Sequence, residues 1–135
     1  MIRKAKLEDL EEIKAIADKN RNELGFSPRG MFVEHIKRNE VYVAEYSGKV
    51  VGFVCFHHCR DGWTTIYKIC VDKEYRRKGF GKALLKAVEN EAQKIRLKCP
   101  AEIEANNFYA TQGYICTGVE KGKKRHIAIW KKVIK

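Results

Sequence analysis

Residues 71–91 read VDKEYRRKGFGKALLKAVENE: three consecutive cations, two glycines one residue apart, and then an amphipathic run. Leu84, Leu85, Val88 and Ala92 fall on one stripe, which predicts a helix from Gly79 to about Lys94. The start of a helix already carries partial positive charge from its unpaired N–H groups. Arg76, Arg77 and Lys78 oppose that dipole, at a cost of roughly a few tenths of a kcal/mol each, unless an anion sits among them. The stretch therefore asks which anion it holds.

The flanking sequence places this turn between a strand and a helix. Upstream, Val41 to Tyr46 and Val50 to His57 surround Ser47-Gly48, a hairpin signal, and Asp61-Gly62 leads into a third strand from Trp63 to Val71. Before these, Ile2 to Ala5 reads as a short strand. Leu10, Ile13, Ile16 and Ala17 then recur at helical spacing, with Asp9 as a candidate cap and Gly25 as the stop. A second short helix covers Gly30 to Arg38. Downstream, Ile95 to Cys99 reads as a strand ended by Pro100, and a short helix over Asn106 to Gln112 stops at Gly113. Tyr114 to Val119 and His126 to Val133 form a last hairpin across EKGKKR. The order β-α-α-β-β-β-α-β-α-β-β predicts an α/β chain of the α+β kind: a mixed sheet of six to seven strands with helices on both faces. No linker or repeat interrupts it, so residues 1–135 are expected to form a single domain.

Three phosphate-binding designs can be tested on the glycine stretch. The P-loop pattern needs Gly at 76 and Ser or Thr at 83, where Arg76 and Ala83 stand. The dinucleotide fingerprint needs a third glycine where Leu84 stands. The third design, [QR]-x-x-G-x-[GA], fits Arg76-Arg77-Lys78-Gly79-Phe80-Gly81. Here the chain resembles the GNAT superfamily of N-acetyltransferases, whose pyrophosphate-binding motif has this form. The physics is consistent with that resemblance, because glycines let backbone N–H groups reach phosphate oxygens with no Cβ in the way.

A second stretch, NFYATQGY over residues 107–114, resembles the family's FYxxxGF signature. The resemblance implies a GNAT fold, acetyl-CoA as cosubstrate, and an amine acceptor that attacks the thioester directly. It implies that Arg76, Arg77, Lys78, Gly79, Phe80, Gly81 and Lys82 meet the pyrophosphate. It also implies that the backbone of Ile69, Cys70 and Val71 pairs with the pantetheine arm in a gap between the fourth and fifth strands. Tyr109 takes the place of the acid that protonates the leaving thiolate. Many relatives have an asparagine where this chain has Glu102, and Asn106, with Asn107 beside it, is the candidate to take over that cofactor contact or to cap the helix.

The general base has no such counterpart. The fourth strand reads TTIYKICV and the fifth IRLKC, without a carboxylate. Glu102, His57, His58 or a water relay are the alternatives, and the water route is preferred because an ammonium needs only modest help near its own deprotonation. Cys55, His57 and Cys59 share one strand face by alternation, but no fourth ligand is evident, so no metal site is expected.

Bulk properties narrow the setting. The longest apolar stretch, residues 50–56, is too short to cross a bilayer, and the charged start MIRKAKLEDLEEI lacks the apolar core of a signal peptide. Five cysteines form an odd count without CxxC spacing, as expected of reduced thiols, and a cytoplasmic location is expected. The net charge of +11 favours anionic partners, though the excess is spread along the chain and a nucleic-acid partner is not expected. The expected assembly is a monomer or homodimer. The rival reading is a non-catalytic acyl-CoA-binding or nucleic-acid-binding module on the same fold; Tyr109 favours catalysis.

Overall fold

The computed structural model describes all residues from Met1 to Lys135. Seven strands form one sheet in the order β1-β2-β3-β4-β5-β7-β6. They are β1 (Ile2–Lys4), β2 (Val41–Tyr46), β3 (Lys49–His58), β4 (Thr64–Val71), β5 (Lys94–Pro100), β6 (Ile115–Lys121) and β7 (His126–Val133). The helices are α1 (Leu10–Lys19), α2 (Arg21–Leu24), α3 (Arg29–Lys37), α4 (Phe80–Glu89) and α5 (Ala105–Thr111). Every neighbouring pair is antiparallel except β4 and β5, which the helical crossover through α4 makes parallel. The β2–β3 hairpin closes on Ser47 and Gly48, with φ of 51° and 76°, the left-handed pair that a two-residue turn requires.

Alternation along the strands splits the apolar residues into two cores. Ile13, Ile16, Phe32 and Ile36 from α1 and α3 pack on Val41, Val43, Phe53 and Cys55. Leu84, Leu85 and Val88 from α4, with Tyr109 from α5, pack on Val51, Val54, Phe56, Ile66, Ile95 and Leu97. Helices thus cover both faces of β2, β3 and β4.

Three local features differ from the sequence reading. The helix expected to run to Lys94 ends at Glu89, because the chain must turn within residues 90–93 for β5 to begin at Lys94. Glu91 anchors that turn through Lys4, Tyr42 and His58. The first helix does not run to Gly25 but breaks at Asn20, whose buried amide donates back to the Ile16 carbonyl at 2.8 Å. Asp9 serves the 3₁₀ turn ahead of α1 rather than the helix itself: its carboxylate accepts the Lys6 N–H at 2.7 Å and two Arg3 bonds.

Candidate active site

The β4–β5 pairing lasts for three residue pairs, Thr64–Ile95, Thr65–Arg96 and Ile66–Leu97. Beyond them β4 continues paired to β3 alone and β5 to β7 alone, so the strands diverge. The point of divergence coincides with a bulge. The β3–β4 register steps from Cys55–Lys68 to Phe56–Ile66, which leaves Tyr67 as the extra residue that bends β4 away. The backbone of Lys68, Ile69 and Cys70 is left with a free edge toward the gap. A cleft of about 390 Å³ fills this gap, walled by Ile66, Ile69, Leu97, Cys99, Ile103 and Tyr109.

Tyr109 projects from α5 into the cleft wall and is 6% exposed. Burial, reinforced by the nearby Cys99 and Cys70 thiols, pushes its pKa well above the ordinary phenol value. Its hydroxyl takes no hydrogen bond from or to any protein group. The ring is held by Phe108, Tyr114 and Trp130, with centroids 5.5, 6.2 and 6.3 Å away. A neutral, fixed, unpartnered O–H facing a cleft is suited to donating a proton or hydrogen bond to a group that arrives there. Cys70 and Cys99 are poor nucleophiles by comparison, since burial raises their thiols to about 11 and about 12.

Past the cleft β4 runs on to Val71, beside which Gly81 at the start of α4 lies. Gly79 sits at φ 88°, a left-handed conformation that glycine adopts without strain, and no side chain caps the helix. The first intrahelical bond runs from the Ala83 N–H to the Gly79 carbonyl at 3.0 Å, so the N–H groups of Phe80, Gly81 and Lys82 point outward unpaired. A Cβ on Gly81 would make only ordinary contact with Phe108, at 3.5 Å, so the protein itself does not demand glycine there. The open side is toward solvent, where an anion can approach. Arg77 and Lys78 are exposed beside this turn, and the Arg77 side chain is 91% exposed, 4.0 Å from Glu104. These groups fit a polyphosphate: three free N–H donors and two exposed cations.

Arg76 stands apart from its neighbours. Its Nε–H donates to the Val71 carbonyl at 2.8 Å, and its Nη2 reaches Asn20 Oδ1 at 3.0 Å and Glu23 at 3.2 Å. The residue ties the glycine turn to the α1–α2 break. Asn106 is likewise committed within the protein: its amide donates to the Pro100 and Ile103 carbonyls at 2.9 and 2.8 Å and accepts from Trp130 Nε1 at 2.8 Å. Its amide nitrogen and carbonyl oxygen are both engaged within the protein, and its geometry matches a loop clip.

Among the alternatives for the base, Glu102 is ion-paired with Arg125. Both ring nitrogens of His58 are engaged, by Thr64 at 2.7 Å and Glu91 at 2.8 Å. His57 differs. Its Nδ1–H donates to the buried Glu40 carboxylate at 2.9 Å, and Nε2 is left without a protein partner. Burial works to raise the Glu40 pKa, but the bonds from His57 and the His58 N–H outweigh it and hold the carboxyl below its ordinary value. No grouping of three or more His, Cys, Asp or Glu side chains forms a metal-binding arrangement.

Several cleft residues gave no signal in sequence. Lys68 reaches across the mouth to the Leu24 carbonyl, and burial lowers its pKa. Arg125, from the β6–β7 loop, donates to the Asn22 carbonyl at 2.9 Å, so that loop and α2 close the cleft from opposite sides.

A family model described as an acetyltransferase (GNAT) domain matches residues 17–131. The 5-NmdU N-acetyltransferase of Pseudomonas phage PaMx11 is 30% identical over 128 residues, spanning 90% of this chain and 91% of that protein. Ard1 from Thermoplasma volcanium shares the fold with a TM-score of 0.90 at 21% identity, over 100% of this chain and 97% of that one. Rv2747 from Mycobacterium tuberculosis, whose structure is in complex with CoA and NLQ, gives 0.77 at 22% identity, over 92% and 76%. No helix in the chain is long and apolar enough to cross a membrane. With its split sheet, its glycine-opened helix and these relatives, the chain belongs to the GNAT acetyltransferases.

Proposed function

We propose that this enzyme moves an acetyl group from acetyl-CoA to a primary amine by direct attack, with Tyr109 as the acid for the departing thiolate. The observation that carries the reading is the unpartnered Tyr109 hydroxyl in the cleft at the β4–β5 split, with the free N–H groups of α4 just beyond the end of β4. In this reading the pyrophosphate lies on the N–H groups of Phe80, Gly81 and Lys82, with Arg77 and Lys78 as counter-ions. Arg76 and Asn106 serve the scaffold that presents them. The arm lies along the free edge of Ile69, Cys70 and Val71. The amine nitrogen bonds to the acetyl carbon, the C–S bond breaks, and the sulfur takes a proton from Tyr109, which regains one from solvent. The proton lost by the amine leaves to water, or to His57 Nε2 through water. The relative named for 5-NmdU supports an amine acceptor of some kind without fixing which.

The test is thiol release from acetyl-CoA against a panel of amines and peptides, paired with calorimetry on variants. Gly81→Val should keep the fold and lose coenzyme A, since its side chain would fill the space between the α4 start, Val71 and Phe108. Neutralising Arg77 and Lys78 should weaken acetyl-CoA far more than a pantetheine fragment lacking the nucleotide. Unchanged affinity in a folded Gly81→Val protein would remove the phosphate assignment.

A further inference from the structure

On the α1–α3 side, helices cover the sheet only as far as β4, and β5, β7 and β6 continue bare beyond it. The bare surface forms a trench of about 570 Å³ that includes Thr65, Tyr67, Arg96, Lys98, Ile129 and Lys131. In sequence the excess of cations is spread along the chain, but the fold gathers part of it here. Arg96 and Lys131 stand directly opposite each other in the β5–β7 ladder, a placement in which like charges destabilise a sheet. Lys94 Nζ, Lys131 Nζ and Arg96 Cζ lie 4.6, 5.2 and 5.9 Å from the ring centroid of Trp63. One carboxylate, Asp61, answers this group at 3.0 Å from Arg96, while Lys98 farther along is paired with Glu120 at 2.8 Å. Lys94 and Lys131 have no ion-pair partner, so the cluster is short of negative charge.

The trench is continuous with the acyl cleft. Tyr67, Leu97, Lys98 and Glu120 line both, so a molecule lying along the trench reaches the β4–β5 split from the side opposite the α4 turn. Its chemistry is mixed. Among its lining stands the 48% exposed Tyr67, and Trp63 lies at its end with Lys94, Arg96 and Lys131 over the ring. An acidic peptide would use the cations and leave the exposed Tyr67 ring idle, whereas unpaired bases stack on aromatic faces while their phosphates meet cations.

We propose that this trench binds a single-stranded segment of nucleic acid, with phosphates at Lys94, Arg96 and Lys131 and bases against Trp63 and Tyr67. The same strand carries the acceptor amine to the split, a step that rests on the acetyltransferase reading above. A double helix does not fit this role, because its bases are already stacked on one another.

The test is fluorescence anisotropy of a labelled oligothymidylate of about fifteen nucleotides with the full chain, over a range of salt. Binding should weaken steeply as salt rises. Arg96→Glu with Lys131→Glu should reduce affinity by about tenfold or more at low salt. The charge-matched control Lys6→Glu with Lys86→Glu, on remote exposed positions, should lose less than about threefold. Trp63→Leu should weaken oligothymidylate several-fold, and coenzyme A affinity by calorimetry should hold in all of these proteins. If the charge reversals unfold the chain, the neutral pair Arg96→Gln with Lys131→Gln replaces them. Equal losses in the trench and control variants would overturn the proposal in favour of diffuse charge. Oligoglutamate that competes at equal concentration, with the same sensitivity to Arg96 and Lys131, would overturn it in favour of an acidic protein partner. No oligothymidylate binding by a protein that binds coenzyme A would overturn it and leave the acetyltransferase reading standing. Oligothymidylate binding that depends on the trench, in a protein that fails to bind coenzyme A, would support the trench and overturn that reading instead.

Discussion

Tyr109 and Tyr114 occupy adjoining pockets behind α5, their ring centroids 6.2 Å apart, and burial pushes both phenols well above their ordinary pKa. They are 6% and 3% exposed. The two regions differ in what meets the hydroxyl. Tyr114 donates to Glu89 at 3.0 Å, and Lys132 completes a closed polar group. Tyr109 donates to nothing in the chain and faces the cleft. The Tyr109 hydroxyl forgoes the protein hydrogen bond, worth roughly 1 kcal/mol, that the Tyr114 hydroxyl makes. One residue type at nearly equal burial therefore yields a structural bond in one place and an available proton in the other. The difference lies in the partner and not in the ring.

The contrast breaks most sharply under Tyr109→Phe. We expect kcat to fall roughly ten- to a thousandfold, within the range for loss of a general acid, with acetyl-CoA affinity changed by no more than a few fold. Thermal stability should hold or rise slightly, because the variant loses no protein hydrogen bond. Wild-type turnover on the true acceptor would remove Tyr109 from the chemistry and leave solvent as the proton donor.

Glu89→Ala attacks the other region. It strips the Tyr114 hydroxyl and the Lys132 ammonium of their shared carboxylate, which is only 14% exposed at its side chain. A loss of about 2 kcal/mol is expected, read from urea melts, with kcat per folded molecule nearly unchanged. If turnover falls together with stability, the two tyrosines act as one unit and the contrast between them fails.

This division was only partly legible in the sequence. The glycine turn could be read because its conformation is local: Gly79 at φ 88° and the helix that follows depend on neighbours in the chain. The Ser47-Gly48 hairpin and the order of elements were legible for the same reason. The end of α4 was misread, because what stops it is the ladder that β5 must enter, a long-range demand. Arg76 looked equivalent to Arg77 and Lys78, yet Asn20 and Glu23, more than fifty residues away, draw it inward. Asn106 stands near FY, and its contacts with Trp130 and the loop carbonyls of Pro100 and Ile103 are ones that no local pattern announces. Nothing local distinguishes a polar group that stays free from one that meets a partner across the fold. The Trp63 cluster was hidden for that reason too, since it joins the β3–β4 turn to β5 and β7.

Alkaline pH sharpens the comparison from the side of burial. Both folded pKa values lie above the unfolded value near 10, so the unfolded chain sheds these protons first. Their contribution is complete below about pH 10 and is lost as pH rises above it, with a slope of about 1.4 kcal/mol per pH unit for each tyrosine. Urea melts taken below and above that pH should show the decline in the parent protein. Tyr109→Phe and Tyr114→Phe should each remove about one tyrosine's share. An unchanged slope in Tyr109→Phe alone would mean that water already reaches that hydroxyl through the cleft and lets it ionise normally.

The smallest expected effect belongs to Lys132→Met. The ammonium lies 3.3 and 3.4 Å from the two Glu89 oxygens, 2.9 Å from the Gln112 carbonyl, and 5.4 Å over the Tyr114 ring. Its side chain is 28% exposed, so water screens much of that attraction. Methionine keeps most of the apolar stem in place. The change should therefore cost about 0.5 kcal/mol, shrink further in high salt, and leave the Tyr114 bond to Glu89 intact. A double-mutant cycle with Tyr114→Phe separates the two contacts that Glu89 makes. If Lys132→Met costs as much as Glu89→Ala, then the ion pair and not the tyrosine holds this region together. In that case the Tyr114 hydroxyl is nearly as unclaimed as that of Tyr109, and orientation toward the cleft alone would have to separate their roles.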